Sequence, residues 1–216
     1  MKTPFEMQTQ KLPMVLHRQF HFILLGHRIA GKEGSSLLSM IPYNRFAAVA
    51  YAHRWAYGRN PRFYDYEEIG GDCTNYASQC LYAGTGVMNF TPTFGWYYIN
   101  ANEKAPAWTG VEYFRNFLLR DEVSPGPVGQ EVSLEELLPG DFVQLSFQNG
   151  VFSHTPIVVA IGRPATPETT LVAAHSYDAD FRPLSTYPYK ELRCLHILGA
   201  YLPEGVKPPA VQRPLL

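Results

Sequence analysis

Long apolar runs, an excess of either charge and a useful number of cysteines are all missing from this chain of 216 residues. The run Phe20-His21-Phe22-Ile23-Leu24-Leu25 is short, is broken by His21, and is followed by Gly26-His27-Arg28. A membrane span needs about 20 apolar residues, and a secretory signal needs a longer apolar core ending in small residues. Neither pattern is present, so no transmembrane segment is expected and a cytoplasmic location is the default expectation. Lys and Arg total 18 against 19 Asp and Glu, a formal net charge of −1. That balance gives no basis for a polyanionic partner and argues against nucleic-acid binding. The three cysteines, Cys73, Cys80 and Cys194, are an odd number, which excludes a fully paired disulfide framework within the chain. Cys73 and Cys80 read as one helix, and at about 1.5 Å rise per residue they stand roughly 10 Å apart, too far for a disulfide.

What is abundant is apolar and aromatic surface. Hydrophobic residues make up 46% of the chain and aromatics 14%, enough for one domain with a sizeable core. Residues 1–40 lack clear periodicity and read as an N-terminal extension. Residues 41–202 read as the domain, and the segment 203–216, with Pro208, Pro209 and Pro214, as a proline-rich tail. A first helix is predicted over 45–57, capped by Asn44 and ended at Asn60-Pro61. Gly70-Gly71 breaks the chain, and a second helix is predicted from Cys73 to Tyr82, stopped by Gly84. Its apolar positions Tyr76, Ala77, Cys80 and Leu81 fall at helical spacing, with Thr74, Asn75, Ser78 and Gln79 on the opposite side. An aromatic, irregular segment follows from Met88 to Pro106.

Thr109-Gly110-Val111-Glu112 and Ser133-Leu134-Glu135-Glu136 both have the form of a capping box. The remainder reads as strands: 142–147, then Asn149-Gly150 as a hairpin signal, 154–161, 170–175 and 192–201. Helices first and an antiparallel sheet after them make the class α+β.

The candidate chemistry centres on Cys73 in Gly-Gly-Asp-Cys-Thr-Asn-Tyr. A thiolate is stabilised at a helix start by exposed N–H groups and the positive dipole end. Asp72 is the expected N-cap, accepting from the N–H of Thr74 or Asn75, although a neighbouring carboxylate raises a thiol pKa. The competing reading of Cys73 is a small buried residue, and Cys80 and Cys194 are assigned to that role. A cysteine nucleophile needs a base and a group that orients the base. His154 and His175 stand at strand boundaries, and antiparallel pairing of their strands brings them to one sheet edge. Asp178 is the alternative orienting group. Asn75 is read first as a capping or solvated residue, with donation near a reacting carbonyl as the alternative.

Residues 43–52 (Tyr-Asn-Arg-Phe-Ala-Ala-Val-Ala-Tyr-Ala) and 71–81 (Gly-Asp-Cys-Thr-Asn-Tyr-Ala-Ser-Gln-Cys-Leu) resemble the bacterial Putative amidase domain family. Trp96-Tyr97-Tyr98, Trp108, Pro139-Gly140-Asp141, Ser153-His154 and Ala174-His175-Ser176 extend the likeness over about residues 43–185. The family is similar in layout to CHAP and NlpC-type cell-wall hydrolases of the papain-like superfamily. The resemblance implies a papain-like fold with N-terminal helices packed on an antiparallel sheet, Cys73 as nucleophile, His154 as base and His175 as third residue. It implies hydrolysis of an amide bond, with a peptide or peptidoglycan substrate, and no cofactor or metal. Two other readings stay open. Cys73, His154 and His175 could hold a zinc ion for metal-dependent hydrolysis, or the scaffold could be an inactive binding module.

Overall fold

The structure, a computed structural model, describes residues 37–206. The apolar run at 20–25, most of the N-terminal extension and Pro208, Pro209 and Pro214 of the tail lie outside the described residues. Strand β1 (Leu38–Ile41) opens the fold, so the last residues assigned to the extension belong to the sheet. Helix α1 (Arg45–Trp55) follows, and the Asn44 side chain accepts from Ala47 N–H at 3.0 Å, as its cap position predicts. Helix α2 (Cys73–Thr85) begins where expected but outruns Gly84. Gly86, at φ 66°, ends it and donates its N–H to Tyr82 O. Gly84 serves contact with α1 instead: a Cβ there would stand 2.2 Å from Tyr43 Cε2.

The aromatic segment contains the short pair β2 (Tyr98–Asn100) and β3 (Glu103–Lys104). Helices α3 (Pro106–Thr109) and α4 (Val111–Leu118) come next. The capping box expected at Thr109 does not form, because Thr109 still belongs to α3 and Gly110 occupies the cap position without a side chain to offer. The box at Ser133 does form, with Glu136 accepting from Ser133 N–H at 2.9 Å.

The rest is β: β4 (Gly126–Val132), β5 (Phe142–Gln148), β6 (Val151–His154), β7 (Ile157–Ile161), β8 (Thr170–Ala174), β9 (Ala179–Pro183) and β10 (Glu191–Pro203). Asn149-Gly150 turns β5 into β6, Gly150 taking φ 75°. The strand predicted over 154–161 is two strands broken at Thr155-Pro156, since proline has no N–H to continue a ladder. The order is β1-β10-β5-β7-β8-β9, with β4 on β10 and β6 on β5, and every pairing is antiparallel. Among the described residues the architecture is therefore mixed, with four α-helices and a mostly antiparallel sheet.

Alternation along the strands divides the sheet between two cores. Phe142, Ile157, Ala173 and Leu195 face the helices, where they meet Ala48, Ala52, Tyr76, Cys80, Trp96 and Trp108. Val143, Val158, Val172 and Cys194 face the other way, against Leu137, Leu184 and Tyr187. Cys80 and Cys194 are thus packing residues, as assigned. Helix α2 is buried along nearly its whole length, so its start is pinned by what surrounds it.

Candidate active site

Gly70 and Gly71 turn the chain into α2 at φ 101° and 97°, left-handed values that favour glycine. Asp72 follows, fully buried. It does not cap α2 with its side chain. Its Oδ1 accepts from Tyr66 N–H at 3.0 Å and from Asn75 Nδ2 at 2.8 Å, and its Oδ2 meets His175 Nδ1 at 2.6 Å. The Asp72 N–H donates to Ser176 Oγ at 3.0 Å. The segment after β8 thus grips the residue before the thiol twice, with His175 on the side chain and Ser176 on the backbone.

His175 is 1% exposed. Its Nε2 lies 2.8 Å from Trp55 O, at the end of α1, and its ring stacks on Tyr76 at 4.0 Å between centroids. A backbone carbonyl only accepts, so Nε2 carries a proton. With the Asp72 carboxyl at Nδ1, both ring nitrogens are hydrogen-bonded within a buried Asp72–His175 pair. Both nitrogens of His175 are thereby engaged away from His154, which corrects the expectation that His175 holds the base. Asp178, the alternative, is paired with Arg59, which donates to both of its carboxylate oxygens at 3.0 Å.

The polar side of α2 is not a solvated face. Thr74 Oγ1 pairs with Thr155 Oγ1 at 3.2 Å, and Trp96 Nε1 donates to Ser78 Oγ at 3.0 Å. Tyr51 OH donates to Gln79 Oε1 at 2.6 Å. Asn75 donates to Asp72 and to Tyr64 O and accepts from Trp108 Nε1 at 2.8 Å. It has neither of the roles considered for it, because its amide is consumed in joining α2 to α3. Asp141 is a similar node away from the thiol, contacting Arg45 at 2.6 Å and His196 Nδ1 at 2.8 Å.

Cys73 is the first residue of α2 and is 7% exposed. Its Sγ lies 3.8 Å from Ser153 O, which brings the thiol against the end of β6, next to His154. His154 is 6% exposed. Its ring contacts are aromatic, Phe147 at 6.3 Å and Tyr187 at 5.5 Å, and no hydrogen bond to another described residue holds it. Burial pushes the thiol pKa up, and the Asp72 carboxylate adds to this, while hydrogen bonds from Thr155 and Thr74 pull it down without prevailing. Burial and then the Arg182 guanidinium lower His154 from 6.5 to about 4. Both groups are therefore neutral near pH 7, an uncharged thiol beside an uncharged imidazole. Among the described residues, no group of three His, Cys, Asp or Glu is arranged to hold a metal ion. The zinc set of Cys73, His154 and His175 does not converge, because both nitrogens of His175 are already bound elsewhere.

Residues 42–198 match the family described as Putative amidase domain. The chain belongs to that family. It is also 32% identical over 162 residues to "Uncharacterized protein YhbB" of Bacillus subtilis (strain 168), covering 74% of this chain and 50% of that protein. The chain thus spans about half the length of this curated relative. No solved structure matches. Among the described residues, no helix is long and apolar enough to cross a membrane.

Within this amidase-family domain, sequence reasoning missed Arg182 and Tyr187, both beside His154. Residues 179–191 carry no motif, and β9, which holds Arg182, contains Asp180 and Pro183, weak strand formers. Only the tertiary structure brings them to His154.

Proposed function

We propose that this domain is a cysteine-dependent amide hydrolase with Cys73 as nucleophile and His154 as general base, acting on peptide amides such as those of peptidoglycan. The observation that carries the reading is the approach of the Cys73 sulfur, at the first residue of a buried helix, to the strand end that bears His154. A thiol at a helix start against an antiparallel strand with a histidine is also the layout of the papain-like hydrolases. The family membership supports amide chemistry, and the peptidoglycan substrate extends it by the likeness to CHAP and NlpC-type enzymes.

The reaction starts from a neutral pair. His154, held near a pKa of about 4, takes the Cys73 proton as the sulfur attacks the carbonyl, so charge appears only as the tetrahedral intermediate forms. The Cys73 backbone N–H, unpaired within α2 because it is the helix start, is the donor for the oxyanion. The imidazolium then protonates the leaving amine, giving a thioester, and the neutral imidazole activates water to release the acid. His175 enters as a brace: paired with Asp72, it fixes the turn before the thiol and orients no base.

Cys73→Ala is expected to fold and to lose turnover on muropeptides and small amides. Turnover retained by the folded variant would remove Cys73 from the mechanism.

A further inference from the structure

A cavity of about 450 Å³ opens between the aromatic segment after α2 and helices α3 and α4. Small-ligand sites usually hold roughly 300–1,000 Å³, so its size is ordinary for one. Asn89, in its wall, follows the far end of α2 from Cys73, and the 13 residues of that helix at ~1.5 Å each span roughly 20 Å. The floor is already built. Asn89, 4% exposed, donates to Pro125 O at 2.8 Å and to Ser124 Oγ at 3.3 Å, and accepts from Thr91 N–H at 2.8 Å. Arg120 spends every guanidinium donor on Ser124 Oγ and on the carbonyls of Phe117, Ser124, Pro125 and Pro127. A site fixed before its ligand arrives loses less on binding.

The rest of the lining is open. Phe94 is 83% exposed and Tyr113 61% exposed, and neither ring stacks on another described ring. Single exposed apolar side chains are ordinary, but here two share one cavity. The turn that raises Phe94 is strained, because Thr93, which is β-branched, sits at φ 64°. Such a conformation costs about 1–3 kcal/mol and persists only where its surroundings impose it. Here the Gly95 N–H donates to Thr91 O at 2.8 Å, and Asn89 and Trp96 bridge the base of the turn. The amide of Asn116 and the hydroxyl of Thr93 line the same cavity and are hydrogen-bonded to no other described residue.

That chemistry selects among ligands. Arg120 has no donor left for an anion, and the Glu122 carboxylate in the lining repels one, so carboxylates and phosphates are disfavoured. No lining residue belongs to a strand, so an extended peptide finds no sheet edge to pair with. A pyranose suits every part. Its C–H face stacks on an aromatic ring, and its hydroxyl and acylamino groups pair with amide, hydroxyl and carboxylate side chains. Extending the peptidoglycan reading above, on which the identity of the sugar rests, we propose that the cavity at Phe94 and Tyr113 binds a pyranose unit of the substrate's glycan strand. The sugar is then held at one end of α2 and the peptide amide is cut at the other.

The probe is a tetramer of β-1,4-linked N-acetylglucosamine, titrated into the full chain by isothermal calorimetry at up to millimolar concentration. Wild type should bind it. Phe94→Ala should weaken binding about tenfold and Asn116→Ala about threefold, for the loss of one stacked ring and of one hydrogen-bonding group. Both side chains are exposed, so both variants should melt at the wild-type temperature. No binding by wild type, or equal affinity in wild type and Phe94→Ala, overturns the proposal. Displacement of the tetramer by a free stem peptide overturns it as well, because the cavity would then be a peptide site. Cys73→Ala should bind the tetramer as wild type does. An error in the cysteine reading shows as turnover retained by that variant, and an error in the sugar site shows in the calorimetry, so the two failures are distinguishable.

Discussion

In the folded chain His154 is buried, and burial with the Arg182 charge lowers its pKa from 6.5 to about 4. In the unfolded chain the imidazole is solvated and titrates at its ordinary value. Between these two pKa values the unfolded chain binds a proton that the folded chain refuses. Stability from this group is therefore fully present above pH 6.5 and is lost as the pH falls through that value toward about 4. One pKa unit is worth about 1.4 kcal/mol, so the difference between 6.5 and about 4 corresponds to about 3 kcal/mol. About 2 kcal/mol of it should be gone by about pH 5, where most carboxylates are still ionised. The assay is urea unfolding from about pH 7 to about pH 4, comparing wild type with His154→Gln, which does not titrate there. Other groups act in both proteins, so the difference between the two curves isolates His154. That difference should change by about 3 kcal/mol across the range, and the imidazole should titrate near 4 by NMR. Parallel curves, or an NMR midpoint near 6.5, would refute the reasoning about the site's electrostatics and with it the neutral starting pair.

Two more outcomes test the frame around the thiol. Asp72→Ala leaves the buried His175 Nδ1 without its carboxyl partner and strips the acceptor from Tyr66 and Asn75. It should cost about 3–5 kcal/mol, read from the urea midpoint, and a loss below about 1 kcal/mol would contradict the buried pair. Gly84→Ala would stabilise an exposed helix by about 1 kcal/mol. Here the added Cβ meets Tyr43 Cε2 at 2.2 Å and Asn44 O at 3.0 Å, so the sign reverses to a loss of about 1–3 kcal/mol in thermal unfolding. A neutral or stabilising result means that α1 and α2 pack less closely than described.

The sequence by itself determined what depends on a few adjacent residues. Asn44 caps α1, Ser133 and Glu136 form their box, Asn149-Gly150 makes the hairpin, and two glycines start α2 at Cys73, because each follows from local backbone geometry. The tertiary structure decided what depends on distant partners. Strands β4 and β9 carry glycine, proline and charge, so they are unreadable alone and exist by pairing with β10 and β8. Gly84 and Gly86 look alike as helix stops until Tyr43 presses on one of them. Thr74, Asn75, Ser78 and Gln79 are polar and read as a wet face, yet they are buried because Thr155, Trp108, Trp96 and Tyr51 supply their hydrogen bonds. His175 reaches the expected region, but Asp72 and the Trp55 carbonyl fix the direction of its ring. For Cys73, local rules put a thiol at a helix start. Burial from the whole fold then raised the pKa of that thiol and brought it to the end of the strand that bears His154, neither of which is written in its neighbourhood of sequence.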